Sequence, residues 1–277
     1  DGVVGIDPVF LQYLLGLVGN VSLPDGTVVD GTNAAKVLMH DVYWNYPVEE
    51  SDGIFAAVAS AAFDKILGGI GDVDVTKLVG AFERGAEEGR LIAWMRNDDE
   101  QNAIKETGID ASLPDPDDPS ADPVAGVYFN NLSFSKLDWY LNADTQIGQG
   151  VKNGDGTCSY RITVTLTNIM TQEEAGRLPD YVAASAPDAA RDDERLNVSL
   201  FAPTGGNITD LTVEGAQFGL GAATWHGIPF YSGTVDLHAG ETTTITYTLT
   251  TSAEAGDKPL TLRQTPTCQA ARDSASA

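Results

Sequence analysis

The sequence predicts an α+β chain, an N-terminal α/β domain followed by an antiparallel, immunoglobulin-like β-sandwich. Three observations carry that prediction. Up to residue 108, short apolar runs alternate with apolar stripes of helical period. Residues 113–123 (Leu-Pro-Asp-Pro-Asp-Asp-Pro-Ser-Ala-Asp-Pro) then interrupt both patterns. Beyond them apolar residues recur at every second position, as in 160–167 and 244–250, the mark of strands with one wet face. With 277 residues the chain can hold two cores. The boundaries read 1–112 for the α/β domain, 113–123 for a solvated Pro/Asp linker, 124–270 for the sandwich and 271–277 for a disordered tail.

Taken in order, Val3-Val4-Gly5-Ile6 reads as a short buried strand. Asp7-Pro8 opens a helix, Asp7 as its cap and Pro8 at its first position, and Phe10, Leu11, Leu14, Leu15 and Val18 give its apolar stripe. Pro24-Asp25-Gly26 is a turn between two short β segments. Thr32 or Asn33 caps a helix reaching about Tyr43. Ser51-Asp52 starts a longer helix, with Phe55, Val58, Ala59, Ala62, Phe63 and Ile66 on one face, stopped by Gly68-Gly69. Residues 74–88 form an amphipathic helix, 91–94 a buried strand and 98–106 a helix ended by Gly108. In the sandwich, strands are expected at 126–130, 136–141, 160–167, 196–201, 224–231, 234–237, 244–250 and 260–263. Residues 171–194, rich in Ala, Asp and Pro, read as a long mobile loop.

Charge excludes several functions. Lys and Arg number 16 against 40 Asp and Glu, a surface that repels phosphate backbones and anionic headgroups. Nucleic acid and membrane contact are therefore not expected of this chain. No apolar run is long enough to span a bilayer. The opening Asp1-Gly2-Val3-Val4, with neither Met nor leader, reads as a segment of a longer protein, so the missing leader says nothing of location. Cys158 and Cys268, each in turn-like polar surroundings, are expected to form a disulfide. Closing a loop of about 110 residues would stabilise the fold by ~4–5 kcal/mol in the chain-entropy model. Asn20, Asn131, Asn197 and Asn207 begin Asn-x-Ser/Thr tripeptides, which occur readily by chance.

Chemistry is sparse. His40, His226 and His238 have no neighbouring ligand spacing, so neither metal nor cofactor is expected. Nucleophile elbows, P-loops and dinucleotide fingerprints are missing from the sequence. Asp72-x-Asp74 is read as a helix cap at Asp74. The aromatic clusters read mainly as core. Tyr43, Trp44 and Tyr46 are the exception, because they leave a helix outside any periodic stripe and offer flat faces to a sugar ring. Arg84, Arg90 and Arg96 are candidate anion contacts.

Several blocks resemble a known family. Residues 1–8, Tyr13-Leu14-Leu15-Gly16 and Leu23-Pro24-Asp25-Gly26 look like the actinobacterial domain-of-unknown-function family four-zero-one-two. Residues 90–94, Glu100-Gln101, 126–128, 135–140, 178–182 and 197–200 are similar to its later blocks. The resemblance implies a membrane-anchored actinobacterial surface protein associated with polysaccharide genes. The opening also resembles the second half of the LytR–CpsA–Psr envelope transferases, which move glycopolymers from a lipid pyrophosphate to the cell wall. Gly31 and Ala34 match that family's helical motif, whereas Met39 and Asp41 stand where its pyrophosphate-binding arginines belong. A carboxylate there repels a pyrophosphate.

The expectation is a non-catalytic extracellular module at the cell surface, supporting polysaccharide assembly or attachment. Its partners would be a wall or exopolysaccharide glycan, or another envelope protein. The alternatives are a glycopolymer transferase with its site partly in other sequence, and an adhesin or structural ectodomain.

Overall fold

The computed structural model describes residues 1–23, 25–68, 74–215, 219–268 and 274–275. Pro24 of the expected turn, the Gly69 stop, Asp72, the side chain of Ile66 and most of the 271–277 tail lie outside them. The fold is mixed α and β, and it divides into two compact units, Asp1–Ser112 and Leu113–Ala277.

In the first unit, elements run β1 (Gly2–Ile6), α1 (Pro8–Val18), β2 (Val21–Ser22), β3 (Val28–Val29), α2 (Ala34–Lys36), a π turn (Val37–Asp41), α3 (Val42–Asn45), α4 (Val48–Gly68), α5 (Val75–Glu87), β4 (Leu91–Met95) and α6 (Asp98–Thr107). Asp7 caps α1 by accepting the Phe10 N–H at 2.7 Å, and Asp74 caps α5 through the Thr76 N–H. α1 is apolar on two sides because it serves two cores. Leu11 and Leu15 meet Val29, Ala34, Leu38, Val42, Ile54 and Val58, while Phe10 and Leu14 meet Leu91. Each of the Leu, Val, Ile and Phe side chains contributes about 1.5–3 kcal/mol on burial.

Two close approaches demand glycine. A Cβ on Gly31 would lie 2.4 Å from the Gly16 Cα, and one on Gly85 2.5 Å from the Phe10 ring.

β1 and β4 pair antiparallel, Val3 opposite Trp94. They are not the buried strands their apolar runs predict: Val3 is 64 % and Trp94 53 % exposed. Leu91 and Ala93 turn inward while Ile92 and Trp94 turn outward, because a two-stranded sheet has cover on one face only.

In the second unit, elements run β5 (Val124–Asn131), a 3-10 turn (Leu137–Tyr140), β6 (Leu141–Ile147), β7 (Val151–Lys152), β8 (Cys158–Asn168), α7 (Gln172–Ala175), β9 (Glu194–Phe201), β10 (Asn207–Glu214), β11 (Gly221–Trp225), β12 (Ile228–Leu237), β13 (Thr242–Thr250), β14 (Thr261–Gln264) and β15 (Ser274–Ala275). One sheet has the order β10-β13-β8-β6-β15, with β7 on β8, and the other β11-β12-β9-β5-β14. Pairing is antiparallel except β14 on β5 and β15 on β6. Inward residues of both sheets, among them Val127, Ile162, Val164, Val198, Leu200, Ile245 and Tyr247, form one core. The Thr residues of β8 and β13 alternate with them.

Further expectations need correction. The strand expected at 136–141 is a 3-10 turn leading into β6, since Leu137 and Tyr140 are buried three residues apart. The strand expected at 224–231 is a hairpin, because His226 (φ 45°) and Gly227 (φ 85°) reverse the chain. Residues 113–123 are not a free linker but lie on the second unit. The Asp115 carbonyl accepts from Thr204 Oγ1 at 2.9 Å, and the Ser120 carbonyl accepts from Lys258 Nζ at 2.8 Å.

Lastly, Cys158 and Cys268 form no disulfide. Tyr160 bonds the Leu260 backbone, and Gln264 bonds Thr145, which pairs with Val164. β14 therefore carries the chain from the level of Tyr160 to that of Val164, away from Cys158, before Cys268 is reached.

Candidate functional site

The arginines expected to hold an anion are engaged within the first unit. The Arg90 side chain, 5 % exposed, reaches Asp7 Oδ2 at 2.7 Å and Glu88 Oε2 at 2.5 Å. Arg84 bonds Glu88 Oε1 at 2.7 Å and lies 4.1 Å from the centre of the Tyr13 ring. The Tyr13 hydroxyl also donates to Glu88, at 2.7 Å. Burial alone would raise the Glu88 carboxyl, but the bonds from Arg84, Arg90 and Tyr13 hold it below its ordinary value. Arg96 stands apart at the far end of β4, paired with Asp1 at 3.2 Å. Two of the three arginines thus meet, and they meet on a carboxylate.

Tyr43, Trp44 and Tyr46 each pack on a different neighbour. Tyr43 packs edge-on against Phe55, and Trp44 stacks on His40. Tyr46 donates to Asp25 at 2.5 Å. The two positions matching the transferase motif are packing positions, Gly31 against Gly16 and Ala34 wholly buried. Met39 and Asp41 fall in the π turn, where Asp41 pairs with Lys36 and His40.

A more coherent site lies in the second unit, between the turn after β5 and the 176–193 segment. The latter is packed rather than mobile. α7 carries a capping box at Thr171, and Leu178, Val182 and Ala183 are buried. The two segments hold each other through backbone bonds. Ser185 and Ala186 N–H donate to the Ser133 carbonyl at 2.9 and 3.1 Å, and Lys136 N–H donates to that of Val182 at 3.0 Å. Between them opens a groove of about 460 Å³ lined by Phe134, Ser135, Lys136, Asp180, Tyr181, Ala183 and Ser185.

Phe134 is its most unusual residue. It is 76 % exposed and held at φ 50°, a left-handed conformation that bulky side chains avoid. Ser185 Oγ fixes it by donating to the Phe134 carbonyl at 2.9 Å. Tyr181 is 45 % exposed, with the Lys136 ammonium 5.8 Å from its ring centre. Ser135 Oγ accepts from Asn131 and the Leu137 N–H, so its own proton is what it can offer a ligand.

Joined to the groove through Ser135 and Asn131 is a cluster of acids, in which Asp193 and Glu194 are buried and Asp138 is half-buried. Asn131 Nδ2 donates to Asp138 Oδ2 at 3.1 Å and to Glu194 Oε1 at 3.5 Å. Glu194 is wholly buried and Asp193 nearly so. Burial, then the charges of Asp138 and Asp193, push the Glu194 carboxyl well above its usual range. Burial likewise raises Asp138, with the Asn131 bond opposing. Among the described residues no group of three or more His, Cys, Asp or Glu side chains is arranged to hold a metal ion, and no helix is long and apolar enough to cross a membrane.

Sequence reasoning missed all of these residues as a site. Glu194 had a signal: it is in phase with the inward Leu196, Val198 and Leu200, so alternation alone aims a carboxylate into the core. Phe134 had a weaker one, an apolar residue between Ser133 and Ser135.

The molecule so defined is a two-unit α+β protein with an aromatic groove joined to a cluster of acids through Ser135 and Asn131. A family model described as "Protein of unknown function (DUF4012)" matches residues 1–43. That stretch holds β1, α1, the β2–β3 hairpin and the helical run to Tyr43. It supports the resemblance carried by the opening blocks, and the blocks from Arg90 onward lie beyond it. No curated protein matches the chain.

Proposed function

We propose that this chain is a non-catalytic module of a bacterial cell-envelope protein that binds surface polysaccharide through the Phe134–Tyr181 groove. It would act outside the cell, in assembly or attachment of that polymer, within a membrane-anchored protein of the kind the family resemblance implies. One observation carries the reading: Phe134 is held exposed and backbone-strained at the rim of a groove. Such strain persists only where surrounding bonds enforce it, and it clusters at binding sites. The C–H face of a sugar ring stacks on aromatic rings, while Ser135, Asp180 and Ser185 meet hydroxyls and Lys136 meets an acidic substituent.

The non-catalytic part of the reading is supported by Arg84 and Arg90, whose charges Glu88 and Asp7 neutralise. A transferase would need them for its pyrophosphate. The test is binding of the wild type, Phe134→Ala and Tyr181→Ala to an array of bacterial polysaccharides, followed by calorimetry on any hit. Each substitution is expected to weaken binding about tenfold or more, ~1.4 kcal/mol. Unchanged binding by both variants would remove the groove from the reading, and no glycan bound by the wild type would remove the reading itself.

A further inference from the structure

The buried acids suit a proton better than a cation. Asn131 Oδ1 is taken by the Ser133 N–H at 2.7 Å, which turns the amide's N–H₂ toward the carboxyls. That amide has two protons for three acceptors: Asp138, Glu194 and Ser135 Oγ at 3.2 Å. Glu194 Oε2 meets no hydrogen-bond partner among the described residues. The nearby cations are committed, at a distance or outweighed. Arg195 is held by Asp236 of β12, at 2.7 and 3.1 Å, and touches Asp193 only at 3.5 Å. His238 stands 3.7 Å from Asp192 and 4.0 Å from Asp193. Lys136 favours the charged form of Asp138, but burial outweighs it.

We propose that Asp138 and Glu194 share a proton at neutral pH, and that this proton latches the segment between β5 and β6 against β9. The neutral carboxyl needs no counter-charge, and the remaining carboxylate keeps the Asn131 bond. Loss of the proton leaves two like charges on one amide in the interior, with Asp193 adding a third nearby. The easier relief is movement of the 3-10 turn that carries Asp138. That turn follows Phe134, Ser135 and Lys136 directly, so the groove would change shape as pH rises. The raised positions of both carboxyls agree with this geometry.

The consequence for a ligand rests on the polysaccharide reading, but the test does not, since it uses the ligand-free chain. Infrared difference spectra should show a protonated-carboxyl band at neutral pH that disappears in Glu194→Gln and shifts in frequency in Asp138→Asn. Exchange protection of the Lys136 amide, corrected for intrinsic rates, should fall about tenfold as wild type goes from about pH 6 to about pH 9. It should stay level in Asp138→Asn. Absence of the band, its survival in Glu194→Gln, an unshifted band in Asp138→Asn, or equal loss of protection in wild type and Asp138→Asn would each overturn the proposal. Should Glu194→Gln fail to fold, Asp138→Asn alone decides it.

Discussion

Replacing Arg90 distinguishes a structural arginine from an anion-binding one. The Arg90 side chain is 5 % exposed and bonds Asp7 and Glu88, which keep 28 % and 31 % exposure. Removing one partner of a buried ion pair costs roughly 3–5 kcal/mol when the orphaned charge stays buried. Here both carboxylates can recruit water, so Arg90→Met is expected at the low end, about 3 kcal/mol. Asp7 also caps α1 and Glu88 also holds Tyr13 and Arg84, so the loss falls on the first unit. At a urea slope of about 2 kcal/mol/M the midpoint of that unit should drop by about 1.5 M. Arg90→Lys keeps a charge but not the fork that bonds both carboxylates, and should recover part of the loss. The assay is urea unfolding followed by fluorescence, alongside titration with a lipid pyrophosphate analogue. A loss below about 1 kcal/mol, with analogue binding present in wild type and abolished by Arg90→Met, would refute the reasoning and favour the transferase.

Other expectations follow from single contacts. Thiol titration under denaturing, non-reducing conditions should find two thiols in the intact chain, and none would contradict the course of β14. Gly85→Ala should destabilise by about 1–3 kcal/mol through overpacking against Phe10, read as a lower melting temperature, and no change would mean the ring moves freely. Glu194 has a raised carboxyl, so its contribution is fully present below the ordinary glutamate range and lost as pH rises through its own raised value. Glu194→Gln should therefore outlast wild type in alkaline thermal melts and match it in acid, and parallel profiles would count against the assignment. Phe134→Asn, whose side chain tolerates positive φ, should stabilise the second unit by up to about 1 kcal/mol while abolishing glycan binding, and a loss of stability would mean Phe134 is not strained.

How much was legible follows from which signals are local. Asp7-Pro8 and Asp74 announced their helices because a cap is written in three or four consecutive residues. β8 and β13 announced themselves because period two survives over seven residues. The hairpin at His226-Gly227 was hidden because its turn needs positive φ at a residue that rarely takes it. The error at 91–94 had another cause, since an apolar run does not tell how many layers cover it. The cysteines misled because turn-like surroundings say nothing of strand direction, and direction is what separates Cys158 from Cys268. The groove was invisible in advance because it joins residues about fifty positions apart, and the 176–193 segment has no periodicity to place it.

The two units use their acids in opposite ways, and this bears on where a ligand can act. In the first unit a partly buried acid is matched by cations: Glu88 has Arg84 and Arg90. Its carboxyl lies below the ordinary range, so it keeps its charge further into acid, and once it is protonated an anionic ligand could compete for the freed guanidinium groups. In the second unit Asp138 and Glu194 share an amide, and their carboxyls lie above the ordinary range. Acidification there removes repulsion, and it does so at higher pH. On descending the pH scale, the segment that carries Phe134 therefore tightens first and the arginine network loosens last. A ligand gaining affinity on acidification is compatible with either place, but the two gains fall in different pH windows. The groove's share should vanish with Phe134→Ala, and the arginine network's share with Arg84→Ala. A gain confined to strong acid and untouched by Phe134→Ala would place the ligand on the first unit and count against the groove.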